Sequence, residues 1–332
     1  MAEMLKKMLV PFTVLSSLQI MKSVSRKRAV FPLYHVVSDD QPAHLKHIQH
    51  IRNIKTFEKD LETFLKYFQP VSLSDYLKGE MNSGNSYGVL TFDDGLRECY
   101  EVIAPLLKKK GVPAVFFLNN NFIDNRDLFY RYKASLLVEQ YNLRGGELNG
   151  VESFQGMQKR YVRQALLRIQ YHRRNVLDDI AKSVGFSFEQ YLERNPVYLS
   201  GDQVQSLIND GFEIGSHSFD HPELIRLTPS SIREQVIQSM EEMNRRFGTK
   251  KRYFAFPFSS DGIPLQVIDE LLSSGEADAM LGTSGLKDYP HQGFIQRIPM
   301  EKSACSAYRI LKTEYLYYLL KAPFGKNRYR GG

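Results

Sequence analysis

Two short motifs combine residue types that could carry out hydrolysis. The first is TFDDG at residues 91–95, and the second is HSFDH at residues 217–221. Two adjacent carboxylates need a nearby cation or a proton, and two histidines four positions apart can offer neutral nitrogens to the same cation. One carboxylate and both histidines would give three ligands for a divalent ion and leave the other carboxylate as a base. The two motifs therefore predict a metal-assisted hydrolase.

Strand and helix patterns alternate along the chain, which is typical of an α/β protein with parallel strands. We predict seven strands, at residues 29–37, 88–92, 112–118, 212–214, 253–256, 277–281 and 294–298. Both motifs follow such a strand directly. Because active sites of α/β barrels lie at the C-terminal ends of the strands, the pattern predicts a distorted (β/α) barrel of about seven parallel strands.

The predicted barrel covers residues 29–320 and is interrupted once. Residues 121–199 are polar and mostly helical in pattern, so we predict an insertion that forms a lid or one wall of a substrate groove. Residues 1–28 are predicted to be a basic amphipathic segment, and residues 321–332 a basic C-terminal tail.

The net charge of +7 comes from the two ends of the chain. Residues 1–30 carry +5 and residues 321–332 carry +4, which leaves −2 for the rest. We therefore predict no nucleic-acid partner. The basic ends are interpreted as solvated, with peripheral membrane or phosphate contact as the alternative. Two cysteines give no disulfide framework, and no secretion signal or membrane span is recognised, which predicts a cytoplasmic location with membrane association left open.

TFDDG followed by HSxxH resembles the polysaccharide deacetylase (NodB-like) family of carbohydrate esterases, over residues 29–300 apart from the insertion. The resemblance implies that Asp93 is the general base. It also implies that Asp94, His217 and His221 bind a divalent metal ion, with Zn²⁺ as the first expectation. The implied activity is that of a metal-dependent carbohydrate deacetylase, which removes an N-acetyl group from an acetamido sugar of a glycan or glycolipid precursor and releases acetate.

Two further family motifs are altered in this chain. Ala255 stands where the family has the arginine that orients the base, and Arg297, on the last strand, is the candidate replacement. Phe258 falls where a backbone N–H contributes to the oxyanion hole. The Leu-x-His motif of the general acid is missing, and His35, which ends the first strand in a Tyr-His segment, is a candidate to face the site. A purely structural role is the alternative for both Arg297 and His35.

The altered motifs keep two other functions open. One is a carbohydrate-binding barrel that has lost catalysis. The other is an O-acetyl esterase, or another amidohydrolase, that uses the same site. An ester needs less help for its leaving group than an amide, so a missing general acid would favour the esterase.

Overall fold

The structure is a computed structural model, and it describes residues 2–11, 17–79, 81–82, 84–145, 158–301 and 304–329. Strands in these ranges are short, as expected for a barrel in which each strand contributes a few residues. They are β1 (Ala29–Val30), β2 (Pro32–Tyr34), β3 (Gln69–Pro70), β4 (Tyr87–Gly88), β5 (Leu90–Phe92), β6 (Ala114–Leu118), β7 (Glu213–Ser216), β8 (Tyr253–Ala255), β9 (Ala279–Gly282), β10 (Phe294–Gln296) and β11 (Ile298–Pro299).

The main sheet has eight parallel strands in the order β10-β9-β8-β7-β6-β5-β2-β11, and a small second sheet has the order β1-β4-β3. Strands β10 and β11 lie at opposite edges of the main sheet, although only Arg297 separates them in sequence. The N–H of Arg297 donates to the Gly282 carbonyl, and the N–H of Ile298 donates to the Phe31 carbonyl. Residues 294–299 thus pair with both edges and nearly close the sheet into a distorted barrel. The predicted fold class, with about seven parallel strands, is confirmed.

The barrel strands are apolar because both of their faces are covered. All five residues of β6 are buried, as expected for a parallel strand between an outer helix layer and the barrel interior. The rings of Phe92 and Phe116 stack on neighbouring strands with centroids 5.1 Å apart. A side chain at Gly215 would lie 2.6 Å from the Phe117 ring and 2.9 Å from the Tyr253 carbonyl oxygen, so glycine lets β7 approach its neighbours closely.

Helices surround the barrel, and several begin at a side-chain cap. Ser200 and Gln203 form a capping box, and Thr228 caps a helix that ends at Gly248 in a left-handed conformation. The helices are α1 (Ala2–Leu9), α2 (Leu18–Ser25), α3 (Ile54–Tyr67), α4 (Leu73–Lys78), α5 (Ala104–Lys109), α6 (Tyr130–Leu143), α7 (Lys159–Leu167), α8 (Asn175–Ser183), α9 (Phe188–Arg194), α10 (Gly201–Asn209), α11 (Pro229–Phe247), α12 (Leu265–Ser273) and α13 (Ala307–Lys321).

Helices α6 to α9 occupy the predicted insertion between β6 and β7. Their apolar faces form a cluster that includes Leu137, Leu166 and Leu177, together with Leu45 and Leu96 from outside the insertion. Residues 146–157 of the predicted insertion lie outside the described residues. The insertion therefore adds a small helical layer over one side of the barrel.

The two ends of the chain meet on the outside of the barrel, where α1 and α2 both pack against α13. Beyond α13 the chain packs back onto the barrel rather than extending into solvent, since Tyr329 is 4% exposed. Its ring contacts those of Tyr289 and Phe294. Residues 12–16 and 330–332 of the predicted basic ends lie outside the described residues. Among the helices described here, none combines the length and apolarity that a membrane crossing requires.

Candidate active site and metal centre

The residues singled out in the sequence converge at the C-terminal ends of the barrel strands. Asp93 and Asp94 follow β5, His217 and His221 follow β7, and His35 follows β2. They line one cavity of about 530 Å³, together with Phe258 after β8. Arg297 lies between β10 and β11 beneath the cavity and is fully buried.

Asp94, His217 and His221 form a cluster that could hold a metal ion. The Oδ1 atom of Asp94 lies 3.5 Å from Nε2 of His217 and 3.4 Å from Nε2 of His221. A tetrahedral zinc ion with bonds of about 2.1 Å spaces its ligand atoms by about 3.4 Å. Asp94 Oδ1 is also buried without a hydrogen-bond partner in the described part of the chain. The donor set and its spacing therefore fit a divalent ion.

Neighbouring groups orient these three side chains. The Nδ1 atom of His217 lies 2.8 Å from the Ala255 carbonyl oxygen and can donate to it, which leaves the Nε2 lone pair facing the cluster. The hydroxyl of Tyr132 donates to the other carboxylate oxygen of Asp94, at 3.2 Å. Burial lowers the pKa of His217 and takes that of His221 well below its usual value. Both imidazoles are thus neutral, the form in which histidine binds metals.

The backbone around the site adopts a conformation that is uncommon outside glycine. Four non-glycine residues of the cavity loops have positive φ angles: Asp94 (72°), Ser218 (71°), His221 (59°) and Phe258 (60°). Such residues each cost about 1 kcal/mol or more and cluster at functional sites. At His221 the backbone N–H donates to the Ser218 hydroxyl, which supports the turn.

Asp93 is held by Arg297 through two hydrogen bonds. Nη1 of Arg297 lies 2.6 Å from Oδ1 of Asp93, and Nη2 lies 2.8 Å from Oδ2. Nε of the same guanidinium donates to the Gly282 carbonyl. Burial acts to raise the pKa of Asp93, but the charge and hydrogen bonds of Arg297, together with His217 and His35, outweigh it and the net shift is downward. The carboxylate is therefore ionised and fixed in orientation.

His35 forms a second pair with Glu301, which follows β11. The Nδ1 atom of His35 lies 2.7 Å from Glu301, and the other carboxylate oxygen accepts the backbone N–H groups of His35 and Val36. Burial acts to lower the pKa of His35, but Glu301, together with the charges of Asp94 and Asp93, outweighs it and raises the pKa to about 9. At neutral pH this imidazole therefore carries a proton beside the cavity.

Sequence reasoning missed Glu301 and Phe129, and it did not place Tyr132 beside Asp94 or Arg131 at the cavity mouth. The ring of Phe129 lies 4.4 Å from that of His221, and the Arg131 guanidinium lies 4.7 Å from the Phe258 ring centroid. Glu301 could have been found as the first carboxylate after the last strand. The other three belong to the insertion, which was predicted to form a lid or one wall of the groove, but no sequence pattern indicated which of its side chains reach the site.

Comparison with known proteins agrees with this geometry. A family model described as polysaccharide deacetylase matches residues 81–163 and 176–272. YlxY, an uncharacterised protein of Bacillus subtilis, is 36% identical over 70 residues, a match that spans 21% of the chain and 22% of the relative's length.

Solved structures of deacetylases have the same fold. Deacetylase PplD of Streptococcus pyogenes, solved with acetate, has a TM-score of 0.53 at 14% identity, over 86% of this chain and 97% of that one. IcaB of Ammonifex degensii has a TM-score of 0.54 at 16% identity, over 87% and 97%. A de-N-acetylase of Aggregatibacter actinomycetemcomitans has a TM-score of 0.52 at 15% identity, over 85% and 99%. Since the family model also covers more than half of the residues, the chain belongs to the polysaccharide deacetylase family.

Proposed function

We propose that this protein is a metal-dependent deacetylase that removes the N-acetyl group from an acetamido sugar of a glycan or glycolipid precursor and releases acetate. The proposal rests on one observation: the ionised carboxylate of Asp93 is held by two hydrogen bonds from Arg297 directly beside the Asp94–His217–His221 cluster. Oδ2 of Asp93 lies 3.8 Å from Nε2 of His217. Family membership supports the reaction class and a carbohydrate substrate.

Each residue of the site then has a chemical role. Asp94, His217 and His221 would hold a divalent ion, with Zn²⁺ the best fit to the donor set, and the bound ion would polarise the acyl carbonyl and acidify a water. Asp93 accepts the proton of the attacking water. The backbone N–H of Phe258 donates to the developing oxyanion.

His35 takes the place of the missing general acid in this proposal. It faces the cavity with its proton retained by Glu301, and donates that proton to the departing amine. Arg297 does not touch the substrate and acts by orienting Asp93. Because an acid is available, an amide substrate is favoured over an O-acetyl ester.

Metal binding is the first test of the proposal. The purified protein is expected to retain about one divalent ion per chain after dialysis. The double variant Asp94→Ala, His217→Ala should lose that ion because it removes two of the three ligands. The variant His172→Ala, at an exposed histidine outside the cavity, serves as the matched control and should retain it. Elemental analysis measures both. A wild-type protein without a specific ion would favour a carbohydrate-binding barrel instead.

Acetate release is the second test. The metal-loaded protein is expected to release acetate from N-acetylated glucosamine oligomers, since His35 can protonate an amine leaving group, and the matched O-acetylated sugars are tested beside them. Release from the ester alone would overturn the proposed substrate class and support the esterase alternative.

The role of His35 predicts a characteristic pH dependence. The rate constant kcat/KM should fall at alkaline pH, where His35 loses its proton, because Glu301 raises the pKa of His35 above its ordinary value. Glu301→Gln should lower kcat/KM about tenfold at neutral pH and move this alkaline limb to lower pH, because the charge that raises the pKa is gone.

Glu139→Gln is the matched control for Glu301→Gln. It removes the carboxylate partner of another histidine, His47, which does not line the cavity. The pH profile of this control should equal that of the wild type. An alkaline limb that stays in place in Glu301→Gln would contradict the role of His35.

A further inference from the structure

Large apolar side chains are exposed mainly at the two ends of the chain. Six of the ten such side chains in the described residues lie on α1, on α2, or at and just beyond the C-terminal end of α13. They are Met4 (65% exposed), Met8 (63%), Ile20 (57%), Val24 (65%), Leu320 (51%) and Phe324 (71%). We refer to these six residues and the elements that carry them as the terminal face.

The elements of the terminal face are joined in space. Helices α1 and α2 both pack against α13. Lys6 of α1 and Lys321 of α13 contact the same ring, with their Nζ atoms 5.2 and 4.2 Å from the centroid of Tyr317. The exposed residues of α1 are four positions apart, as are those of α2, so each pair lies on one side of its helix. The exposed apolar residues thus belong to one layer of packed helices.

Basic residues outnumber acidic ones around these apolar side chains, although Glu3 is next to Met4 in the sequence. Residues 17–28 and 315–329 contain seven lysines and arginines and no Asp or Glu. Four of these basic residues are exposed: Arg26, Arg28, Lys326 and Arg328. Two acidic residues pair with lysines of the layer: Glu314 of α13 pairs with Lys6, and Asp288, from the loop between β9 and β10, pairs with Lys27. A net positive charge remains.

This combination fits one kind of partner. Exposed apolar side chains on short helices, flanked by Lys and Arg, are typical of segments that lie in the interface of an anionic bilayer. A nucleic acid would match the charge but would leave the apolar side chains without a partner. A twofold dimer through this face would bring basic residues against basic residues.

The terminal face lies away from the candidate active site. Lys27, which precedes β1, contacts the ring of Tyr318, and the Tyr315 hydroxyl donates to the Lys27 carbonyl. The C-terminal half of α13 is therefore next to the N-terminal end of β1. The metal cluster lies at the C-terminal ends of the main-sheet strands, and none of the six exposed apolar residues of the terminal face lines its cavity.

We propose that the terminal face docks the protein peripherally on an anionic lipid bilayer. Its exposed apolar side chains insert among the headgroups, and Arg26, Arg28, Lys326 and Arg328 contact lipid phosphates. This inference is independent of the proposed catalytic function, because none of its residues lines the cavity.

The absence of tryptophan from the sequence makes a direct test available. Phe324→Trp introduces a single fluorescent reporter on the terminal face, and Leu143→Trp introduces one at a position on α6 that is 78% exposed. Equimolar phosphatidylcholine and phosphatidylglycerol vesicles should shift the emission of Phe324→Trp to the blue. They should leave Leu143→Trp unchanged, and high salt should weaken the response. Pure phosphatidylcholine vesicles should give little response.

Vesicle co-sedimentation with charge substitutions completes the test. The double variant Ile20→Asp, Val24→Asp should bind the anionic vesicles about tenfold less tightly than wild type. The control Leu143→Asp, Ile225→Asp, at exposed apolar positions elsewhere, should bind like wild type. Equal emission shifts of the two tryptophan reporters would overturn the proposal. It would also be overturned if the Ile20→Asp, Val24→Asp variant bound the vesicles as tightly as wild type. A blue shift that appears without vesicles and depends on protein concentration would be a third contrary result.

Discussion

Replacing Arg297 with Met is expected to lower the free energy of unfolding at neutral pH by about 3 to 5 kcal/mol, the usual cost of leaving a buried charge without its partner. Arg297 is 0% exposed and Asp93 2% exposed. Without the guanidinium, burial would raise the pKa of Asp93 above its unfolded value. The variant is therefore most stable below the ordinary carboxyl pKa and loses stability as pH rises. Denaturant unfolding at neutral and acidic pH measures the difference.

A surface arginine provides the control for this prediction. Arg126 pairs with Asp124 at 3.3 Å, and the two side chains are 60% and 35% exposed. Arg126→Met should therefore cost about 1 kcal/mol or less. The double variant Asp93→Asn, Arg297→Met should recover part of the stability lost in Arg297→Met, because it removes both buried charges. Equal losses of unfolding free energy in the two arginine variants would show that the buried Asp93–Arg297 pair contributes no more to stability than an exposed ion pair.

The fold could be predicted because its signals are local. Each barrel strand is an apolar run, and β6 is the clearest example because all of its residues are buried. The alternation of strands and helices then favours parallel pairing, and TFDDG and HSFDH each follow a strand. Since parallel strands end at the same rim, Asp94 and His217 were expected to meet although they are far apart in sequence.

The supporting residues could not be predicted in the same way, because their contacts depend on barrel closure and on the insertion. Glu301 contacts His35 across 266 residues of sequence, and Arg297 contacts Asp93 across 204. Arg297 stood out only as an arginine on the last strand. Arg297 lies between β10 and β11. These two strands follow one another in the chain but lie at opposite edges of the sheet, and this arrangement directs the guanidinium into the barrel. Tyr132 reaches Asp94 from the insertion, whose docking no local pattern encodes.

Replacing Asp93 with Asn is expected to lower acetate release about a thousandfold, within the range for loss of a general base. Asparagine has nearly the same volume as aspartate but cannot accept the proton of the attacking water. The metal content should remain that of the wild type, because Asp94, His217 and His221 are intact. Initial rates of acetate release, measured beside elemental analysis, separate this outcome from loss of the ion.

Two controls separate loss of the base from loss of the fold. Asp220→Asn changes a carboxylate of the HSFDH motif that bonds to the Tyr171 hydroxyl and does not line the cavity, so this variant should keep both the ion and the activity. Asp93→Asn also leaves Arg297 buried without its counter-charge, so part of its effect could come from instability. The double variant Asp93→Asn, Arg297→Met removes that cost and should remain inactive. Substantial activity in Asp93→Asn or in the double variant would refute the assignment of Asp93 as the base. The assignment requires a double variant that is stable, retains the metal ion and is inactive.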